Sequence, residues 1–173
     1  QDGAELLLGD DAHVVVDVSN SPSQEDAASC SLFEASTRNL LSAAKTAGAH
    51  HFIALSIVGT DRMLQNGYFR AKLARELVIS GSSVPYTIIR ATQFFEFISG
   101  VVQDGTDRDI VISPARVQPI AAEDVAEALA DLALGSPING AVEVAGPERF
   151  RLDALAAEVL TALEDPRQVQ PDP

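Results

Sequence analysis

Three residues between His51 and Lys72 carry side chains that suit chemistry on a carbonyl group: Ser56, Tyr68 and Lys72. Tyr68 and Lys72 are four residues apart, so on a helix they share one face. A free tyrosine has a pKa of about 10, and a nearby ammonium group lowers it by favouring the phenolate. The phenol could then exchange a proton while a hydride moves to or from the carbonyl carbon. Ser56 could hold the carbonyl oxygen by a hydrogen bond.

The pair Tyr-x-x-x-Lys also arises by chance on exposed helix faces. The alternative interpretation is a tyrosine packed on a sheet and a solvated lysine. The pair follows, by one loop, a buried strand that ends in serine, and this position keeps the functional interpretation open beside the structural one.

Strands that alternate with helices must position these residues. Strands are predicted at Val14–Val18, Phe52–Leu55, Tyr86–Ile89, Ile110–Ile112 and Ala141–Val144. Helices are predicted over residues 31–47, 68–79, 123–134 and 152–163, the first of them stopped by Gly48. This alternation predicts a doubly wound α/β fold with a parallel sheet in a single domain over residues 1–173. The β-branched run Val14–Val18 predicts a strand buried on both faces, and the residues after Phe95 predict irregular structure.

Polar side chains follow three of the predicted strands. They are Ser19 and Asn20, then Ser56, then Arg90 with Thr92 and Gln93. In parallel sheets, ligands bind beyond the carboxyl ends of the strands. If these strands are parallel neighbours, we expect all three clusters at one edge of the sheet.

Composition excludes several classes of protein. Hydrophobic residues make up 46% of the chain, which argues against disorder, and the net charge of -13 disfavours binding to nucleic acid or anionic lipid. No apolar run reaches the roughly 18 residues that a membrane span needs, and no secretory leader pattern opens the sequence. Cys30 is the single cysteine, so a reducing cytoplasm is expected. The three histidines have no cysteine partner, and we predict no metal site.

Other polar and aromatic residues allow simpler explanations. Asp17 lies within a buried strand, and we expect a structural hydrogen bond to a loop backbone rather than catalysis. Arg90 is expected to pair with an acidic neighbour. Phe94, Phe95 and Phe97 could form an apolar substrate wall, but aromatic residues at this spacing more often belong to a core.

Three segments resemble the atypical short-chain dehydrogenase/reductase superfamily, and in particular its NmrA-like NAD(P)-binding proteins. They read STRNLLSAAKTAGAHHFIALS, GYFRAKLARELVISGSSVPYTIIRATQFFEF and VQPIAAEDVAEALADLAL. The resemblance implies a Rossmann-like fold that binds NAD or NADP, with a small C-terminal extension on the substrate side. It implies a catalytic group of Ser56, Tyr68 and Lys72, with Lys72 also holding the nicotinamide ribose. It further implies that Val18, Ser19, Asn20, Ala91 and Thr92 border the cofactor and that Gln93 and Phe94 border the substrate.

One feature of that family does not occur in this sequence. The glycine-rich turn that places a pyrophosphate on a helix N-terminus has no counterpart among Gly3, Gly9, Gly48 and Gly59. We therefore expect the chain to begin partway through the family fold, without its first βαβ half. The strand Val14–Val18 would then lie at an exposed edge of the sheet, and an apolar edge predicts self-association.

Two functions remain open at this point. The first is an NAD(P)-dependent oxidoreductase that transfers hydride to or from a small carbonyl or quinone substrate. The alternative is a non-catalytic NAD(P)-binding redox sensor, because NmrA-like relatives include regulators that bind a cofactor and a protein partner. A small-molecule substrate is expected in the first case, and a homo-oligomer is compatible with both.

Overall fold

The computed structural model describes residues 12–20, 26–103 and 110–172. The strands are β1 (Val14–Asp17), β2 (His51–Ile57), β3 (Tyr86–Ala91), β4 (Ile110–Ile112), β5 (Arg116–Val117), β6 (Gly140–Val144), β7 (Phe150–Arg151) and β8 (Val169–Pro171). The helices are α1 (Asp26–Thr46), α2 (Gly67–Ser80), α3 (Phe95–Gln103), α4 (Ala122–Leu134) and α5 (Leu152–Ala162). The chain divides into two compact units. The first comprises the described residues up to Arg90 with Glu127–Glu143, and the second comprises Ala91–Ala126 with the described residues from Val144 onward.

The first unit is built on a sheet with the strand order β1-β2-β3-β6. Strands β1 and β2 are parallel, with Val14 opposite His51 and Asp17 opposite Ala54. Helix α1 connects β1 to β2, and α2 connects β2 to β3. A parallel sheet with helical connections confirms the predicted α/β fold class. Among the described strands, the order advances in a single direction.

The core of the first unit lies between the sheet and the helices α1 and α2. The strands contribute Val15, Phe52, Ala54 and Ile88, and the helices contribute Leu41, Ala44 and Ile79, all of them buried. Leu41 and Ala44 lie three positions apart, so α1 turns an apolar face to the sheet, and Ile79 is the contribution of α2.

Strand β1 is half-buried rather than buried on both faces. Val15 and Asp17 are buried, whereas the side chain of Val16 is 44% exposed. Successive side chains of a strand point to opposite faces, and β1 stands at one end of the strand order. The prediction of burial on both faces is therefore wrong, while the prediction of an edge position is confirmed for the described sheet.

Two glycines have backbone conformations that ordinary residues rarely adopt. Gly48, with φ of +72°, ends α1 as predicted, and the amide of Ala49 returns to the carbonyl of Ala44 at 2.9 Å. Gly59, with φ of +92°, shapes the turn after β2, where its carbonyl accepts hydrogen bonds from Arg62 and Met63. The second turn leads the chain from β2 into α2.

A buried histidine links strands at the start of β2. Nε2 of His51 lies 2.9 Å from Oγ1 of Thr87 on β3, and Oγ1 of Thr87 accepts the amide of Ile138 at 3.0 Å. Both side chains are fully buried. Burial lowers the pKa of His51, because the charged imidazolium loses its water.

The second unit contains a helix where irregular structure was predicted. Helix α3 buries Ile98 and Val102, which lie four residues apart. That apolar spacing favours a helix, so the prediction of irregular structure is wrong for Phe95–Gln103. Strand β4 was predicted and pairs in parallel with β8, whereas β5 and β7 form an antiparallel ribbon that the sequence did not reveal. In the described part of the chain, no helix is both long and apolar enough to cross a bilayer.

Candidate active site

The first turn of α2 is fixed by hydrogen bonds at its start. Oδ1 of Asn66, the N-cap residue, accepts the backbone amide of Tyr68 at 2.9 Å. The guanidinium of Arg70 donates to the carbonyls of Leu64 and Gln65 at 2.8 and 3.1 Å. The turn before the helix is therefore tied to the helix itself, and Tyr68 enters the site on a rigid element.

Tyr68 meets the loop that follows β1. Its half-buried side chain donates a hydrogen bond from the phenol to Oδ1 of Asn20 at 2.7 Å. Asn20 lies three residues beyond the end of β1, and Ser56 lies near the end of the parallel neighbour β2. The structure thus brings two of the predicted strand-end clusters to the same edge of the sheet.

Lys72 is buried on the same face of α2. The residue is only 5% exposed, and Nζ lies 5.5 Å from the centre of the Tyr68 ring. Burial first, and then the positive charge of Arg75, lower the pKa of Lys72 to about 8, against the opposite effects of Asp17 and Glu76. The alternative interpretation of a solvated lysine is therefore wrong.

The pKa of Tyr68 moves against our expectation. Burial raises it, because the phenolate would lose water, while the hydrogen bond with Asn20 and the charge of Arg75 lower it. The net shift is therefore upward, whereas the sequence predicted a lowering by Lys72. The ammonium group faces the ring of Tyr68 rather than only its oxygen, an arrangement that favours a cation–π contact.

The hydroxyl of Ser56 is engaged by a carboxylate. Oγ of Ser56 donates to Oε1 of Glu76 at 2.5 Å, and Oγ1 of Thr60 donates to the same oxygen at 3.2 Å. All three residues are buried. To hold a carbonyl oxygen as predicted, Ser56 would have to withdraw its hydrogen from Glu76, so that role stays a prediction.

A buried ion pair joins α2 to β1. Nη2 of Arg75 lies 2.7 Å from Oδ2 of Asp17, and both side chains are almost fully buried. The guanidinium also donates to the carbonyls of Asp17, Ser19 and Leu55 at 3.1, 3.3 and 3.3 Å. Oδ1 of Asp17 accepts the amide of Ser19 at 2.9 Å, which confirms the predicted structural hydrogen bond to a loop backbone.

A second ion pair joins α2 to the end of β3. Arg90 contacts Glu76 through two nitrogens, Nη2 to Oε2 at 2.6 Å and Nε to Oε1 at 3.2 Å. Nη1 of Arg90 lies 3.4 Å from the exposed Asp61. The predicted pairing of Arg90 with acidic neighbours is confirmed, and these contacts raise the pKa of the guanidinium.

Sequence reasoning missed Arg75 and Glu76, which hold the site together. A signal for Glu76 was available in the spacing of Tyr68 and Lys72, because Glu76 lies at the next i+4 position on the same helix face. Two adjacent opposite charges in the middle of an otherwise apolar helix segment, LARELVI, also indicate buried partners.

The remaining predicted residues have contacts of their own in the second unit. Oγ1 of Thr92 donates to the carbonyl of Gln118 at 2.6 Å, and the carbonyl of Gln93 accepts the amide of Ile120 at 3.0 Å. Phe94 forms a single parallel bridge with Ile120, and Ala91 is buried. Their places beside the cofactor and the substrate stay predictions, as does the role of Val18, whose side chain is exposed.

The donors of the first unit fit one end of a nicotinamide cofactor. The ammonium group of Lys72, the phenol of Tyr68 and the amide of Asn20 can hydrogen-bond to ribose hydroxyls or a carboxamide. For the pyrophosphate end of the cofactor, the sequence offers no glycine-rich turn after β1, because it has no glycine between Gly9 and Gly48. The residues present therefore fit the nucleoside end of the cofactor.

A parallel α/β sheet with tyrosine and lysine side chains at its carboxyl edge defines the class of Rossmann-like dinucleotide-binding proteins. A family model described as NAD(P)H-binding matches residues 1–135, and the chain belongs to that family. This finding confirms the resemblance to NmrA-like proteins of the atypical short-chain dehydrogenase/reductase superfamily.

Two curated relatives are plant enzymes. The chain is 31% identical over 137 residues to a chloroplastic divinyl chlorophyllide a 8-vinyl-reductase of Arabidopsis thaliana, covering 72% of this chain and 32% of the relative. It is 30% identical to the enzyme of the same name from Cucumis sativus, covering 73% of this chain and 33% of the relative. The chain thus spans about a third of the length of these relatives.

Solved structures share the fold. WbmH of Bordetella bronchiseptica, in complex with NAD+, matches with a TM-score of 0.72 at 14% identity, over 92% of this chain and 62% of that one. A triphenylmethane reductase of Citrobacter sp., complexed with NADP(H), matches with a TM-score of 0.67 at 18% identity, over 92% of this chain and 55% of that one. At such identities, the similarity establishes the fold alone.

Proposed function

We propose that this chain provides the catalytic edge of an NAD(P)-dependent oxidoreductase that transfers hydride to or from a small carbonyl or quinone substrate. The observation that carries the proposal is the buried Lys72 beside the Tyr68 ring, at the carboxyl edge of a parallel sheet. Burying an ammonium group costs free energy, and here the buried group lies at the sheet edge where this class of fold binds its cofactor.

In this proposal each side chain has a separate task. The cofactor, when bound, supplies or accepts the hydride. Lys72 holds the ribose hydroxyls. Tyr68 gives or takes the proton at its phenolic oxygen. In the absence of substrate, Oδ1 of Asn20 accepts the hydrogen bond from that phenol. Arg75 fixes the backbone carbonyls at the ends of β1 and β2 and so keeps the edge in shape.

The names of the relatives support a reductase. The curated plant relatives are vinyl reductases, and solved neighbours include a triphenylmethane reductase with NADP(H) bound. Both names describe reduction of an organic substrate, which is the reaction type proposed here.

One observation favours the second candidate, a redox sensor that binds the cofactor without turnover. Burial raises the pKa of Tyr68, and a higher pKa makes proton exchange at neutral pH harder. Binding of the substrate would have to bring that pKa down for catalysis. A sensor has no such requirement.

The test measures NADPH and NADH consumption by the natural protein with a panel of quinones and small carbonyls. We expect turnover with at least one compound, and a loss of about 10²-fold or more in both Tyr68→Phe and Lys72→Ala. Arg38→Gln, which changes an exposed arginine paired with Glu34, serves as the control and should keep full turnover. Cofactor binding without turnover would favour the sensor, and unchanged turnover in both variants would remove these residues from the mechanism.

A further inference from the structure

Three residues form a stripe along α2 at successive i+4 positions: Tyr68, Lys72 and Glu76. Lys72 is 5% exposed and Glu76 is 6% exposed, so a cation and an anion lie one helical turn apart in a site with little water. Charges at this spacing interact on a helix, and burial strengthens the interaction because solvent screens it less. Tyr68 and Lys72 have a task in the proposed function, whereas Glu76 has none.

The carboxylate of Glu76 is held from three directions. Oε1 accepts hydrogen bonds from Ser56 at the end of β2 and from Thr60 in the following turn, at 2.5 and 3.2 Å. Arg90 at the end of β3 contacts both oxygens, at 3.2 and 2.6 Å. The position of this negative charge is therefore fixed by the strands and not by α2 alone.

The other charges around Lys72 oppose one another. Asp17 on β1 favours the charged form of Lys72, but its ion-pair partner Arg75 on α2 disfavours that form more strongly. The Asp17–Arg75 pair as a unit therefore works against the ammonium group. Glu76 also favours the charged form of Lys72, and its own ion-pair partner is Arg90 at the end of β3. The phenol ring of Tyr68 also lies beside Lys72, with Nζ 5.5 Å from the ring centre.

We propose that Glu76 is a positioning residue for Lys72: its carboxylate, fixed by Ser56, Thr60 and Arg90, keeps the buried lysine in its charged form at the cofactor edge. This inference deepens the proposed function, because it explains how a lysine can hold a ribose at neutral pH while it is buried. It also gives Ser56 a task that agrees with its observed hydrogen bond. Ser56 helps to hold the carboxylate of Glu76 in place.

The direct test follows the ionisation of Lys72 by NMR in protein labelled with ¹³C and ¹⁵N at lysine. The chain has two lysines, and the exposed Lys45 at the end of α1 serves as the internal reference. Glu76→Gln keeps the shape of the side chain and removes its charge. We expect the pKa of Lys72 in that variant to fall by roughly half a unit to one unit, with Lys45 unchanged.

Matched variants separate the charge from the packing. Glu76→Asp, Ser56→Ala and Thr60→Val keep the negative charge while they weaken the network, so the pKa of Lys72 should stay near its original value although all three lower the melting temperature. Arg90→Gln removes the neutralising partner of Glu76, and the pKa of Lys72 should rise. This variant moves the readout in the opposite direction and decides the question if Glu76→Gln does not fold.

The second readout is the pH dependence of NADPH binding, followed by the fluorescence of the bound dinucleotide. In Glu76→Gln, the alkaline pH at which NADPH binding is lost should shift to a lower value. In Glu76→Asp, that pH should return to the wild-type value. An unchanged Lys72 pKa in both Glu76→Gln and Arg90→Gln overturns the inference, as does an equal fall in Ser56→Ala. If the protein binds no dinucleotide, the proposed function fails, while the NMR titration still decides the role of Glu76.

Discussion

Lys72 is the residue at which stability and the proposed activity oppose each other. Its pKa is lowered to about 8, chiefly by burial, whereas an unfolded lysine has a pKa of about 10.5. Below pH 8 the folded state must therefore keep a charged ammonium group in an environment that is less favourable for it than water. That cost is fully present below the folded pKa, and it is relieved as the pH rises from about 8 to about 10.5.

Replacing Lys72 by methionine should stabilise the protein at neutral pH. We expect the free energy of unfolding of Lys72→Met to rise by on the order of 1–3 kcal/mol at pH 7, with the gain shrinking above pH 8 as wild-type Lys72 loses its proton. Urea denaturation at several pH values measures this difference. Lys45→Met, at an exposed position, should change stability little, and a destabilised Lys72→Met would show that the ammonium group contributes net stability.

His51 changes stability in the same direction with pH as Lys72, but in a more acidic range. Burial lowers its pKa, so the folded state prefers the neutral imidazole that contacts Thr87. This contribution to stability is present above the unfolded pKa of about 6.5 and is lost as the pH falls below it. We expect the free energy of unfolding to fall more steeply in wild type than in His51→Gln between about pH 7 and pH 5. Parallel curves for the two proteins would contradict this assignment.

At the scale of elements, α2 is the part of the fold that carries the site. It follows a turn shaped by Gly59, begins at a capped first turn, and reaches three strands through buried charges: β1 through Arg75, and β2 and β3 through Glu76. The Arg75–Asp17 pair is the more buried of the two ion pairs. Loss of either partner of such a pair leaves an isolated buried charge.

The change Arg75→Met should therefore destabilise the protein by about 3–5 kcal/mol, because Asp17 and three backbone carbonyls lose their partner. The double variant Arg75→Met/Asp17→Asn should recover part of that loss. Thermal and urea unfolding measure both. Arg38→Met is the matched control on α1; its exposed pair with Glu34 should be worth less than about 1 kcal/mol.

The elements of this site could be predicted from the sequence more fully than its contacts. The positions of β2 and α2 follow from an apolar run and a 3.6-residue period, both of which are local signals. The partners of Arg75 and Glu76 lie 14 to 58 residues away along the chain, and only the packed sheet brings them together. The hydroxyl of Ser56 shows the same limit: its position at the strand end was predictable, but its bond to Glu76 depends on how α2 docks.

At the scale of the whole molecule, two surface properties oppose each other. The net charge of -13 makes copies of the chain repel one another at low ionic strength. Strand β1 stands at the end of the described sheet, and the side chains of Val16 and Val18 beside it are 44% and 55% exposed. An apolar strand in that position can pair with another strand.

We expect the polypeptide of residues 1–173 to self-associate, and to do so more as salt screens its charge. Light scattering after size-exclusion chromatography at low and high ionic strength measures the effect. Val16→Lys places a charge on the exposed face of β1 and should reduce association without loss of secondary structure. Leu134→Lys, at a highly exposed position on α4, is the control; equal reduction by both variants would point away from the strand edge.

Arg75 also has a consequence for the order of events in folding. Its ion-pair and hydrogen-bond partners are Asp17, Ser19 and Leu55. They lie at or just beyond the ends of β1 and β2, which precede α2 in the sequence. A guanidinium gives up its water at little cost only when all of these acceptors are already in place. We therefore expect these contacts to be absent from the folding transition state and to form in the last step of folding. The environment that gives Lys72 its unusual acidity would then exist in the native state and in no earlier intermediate.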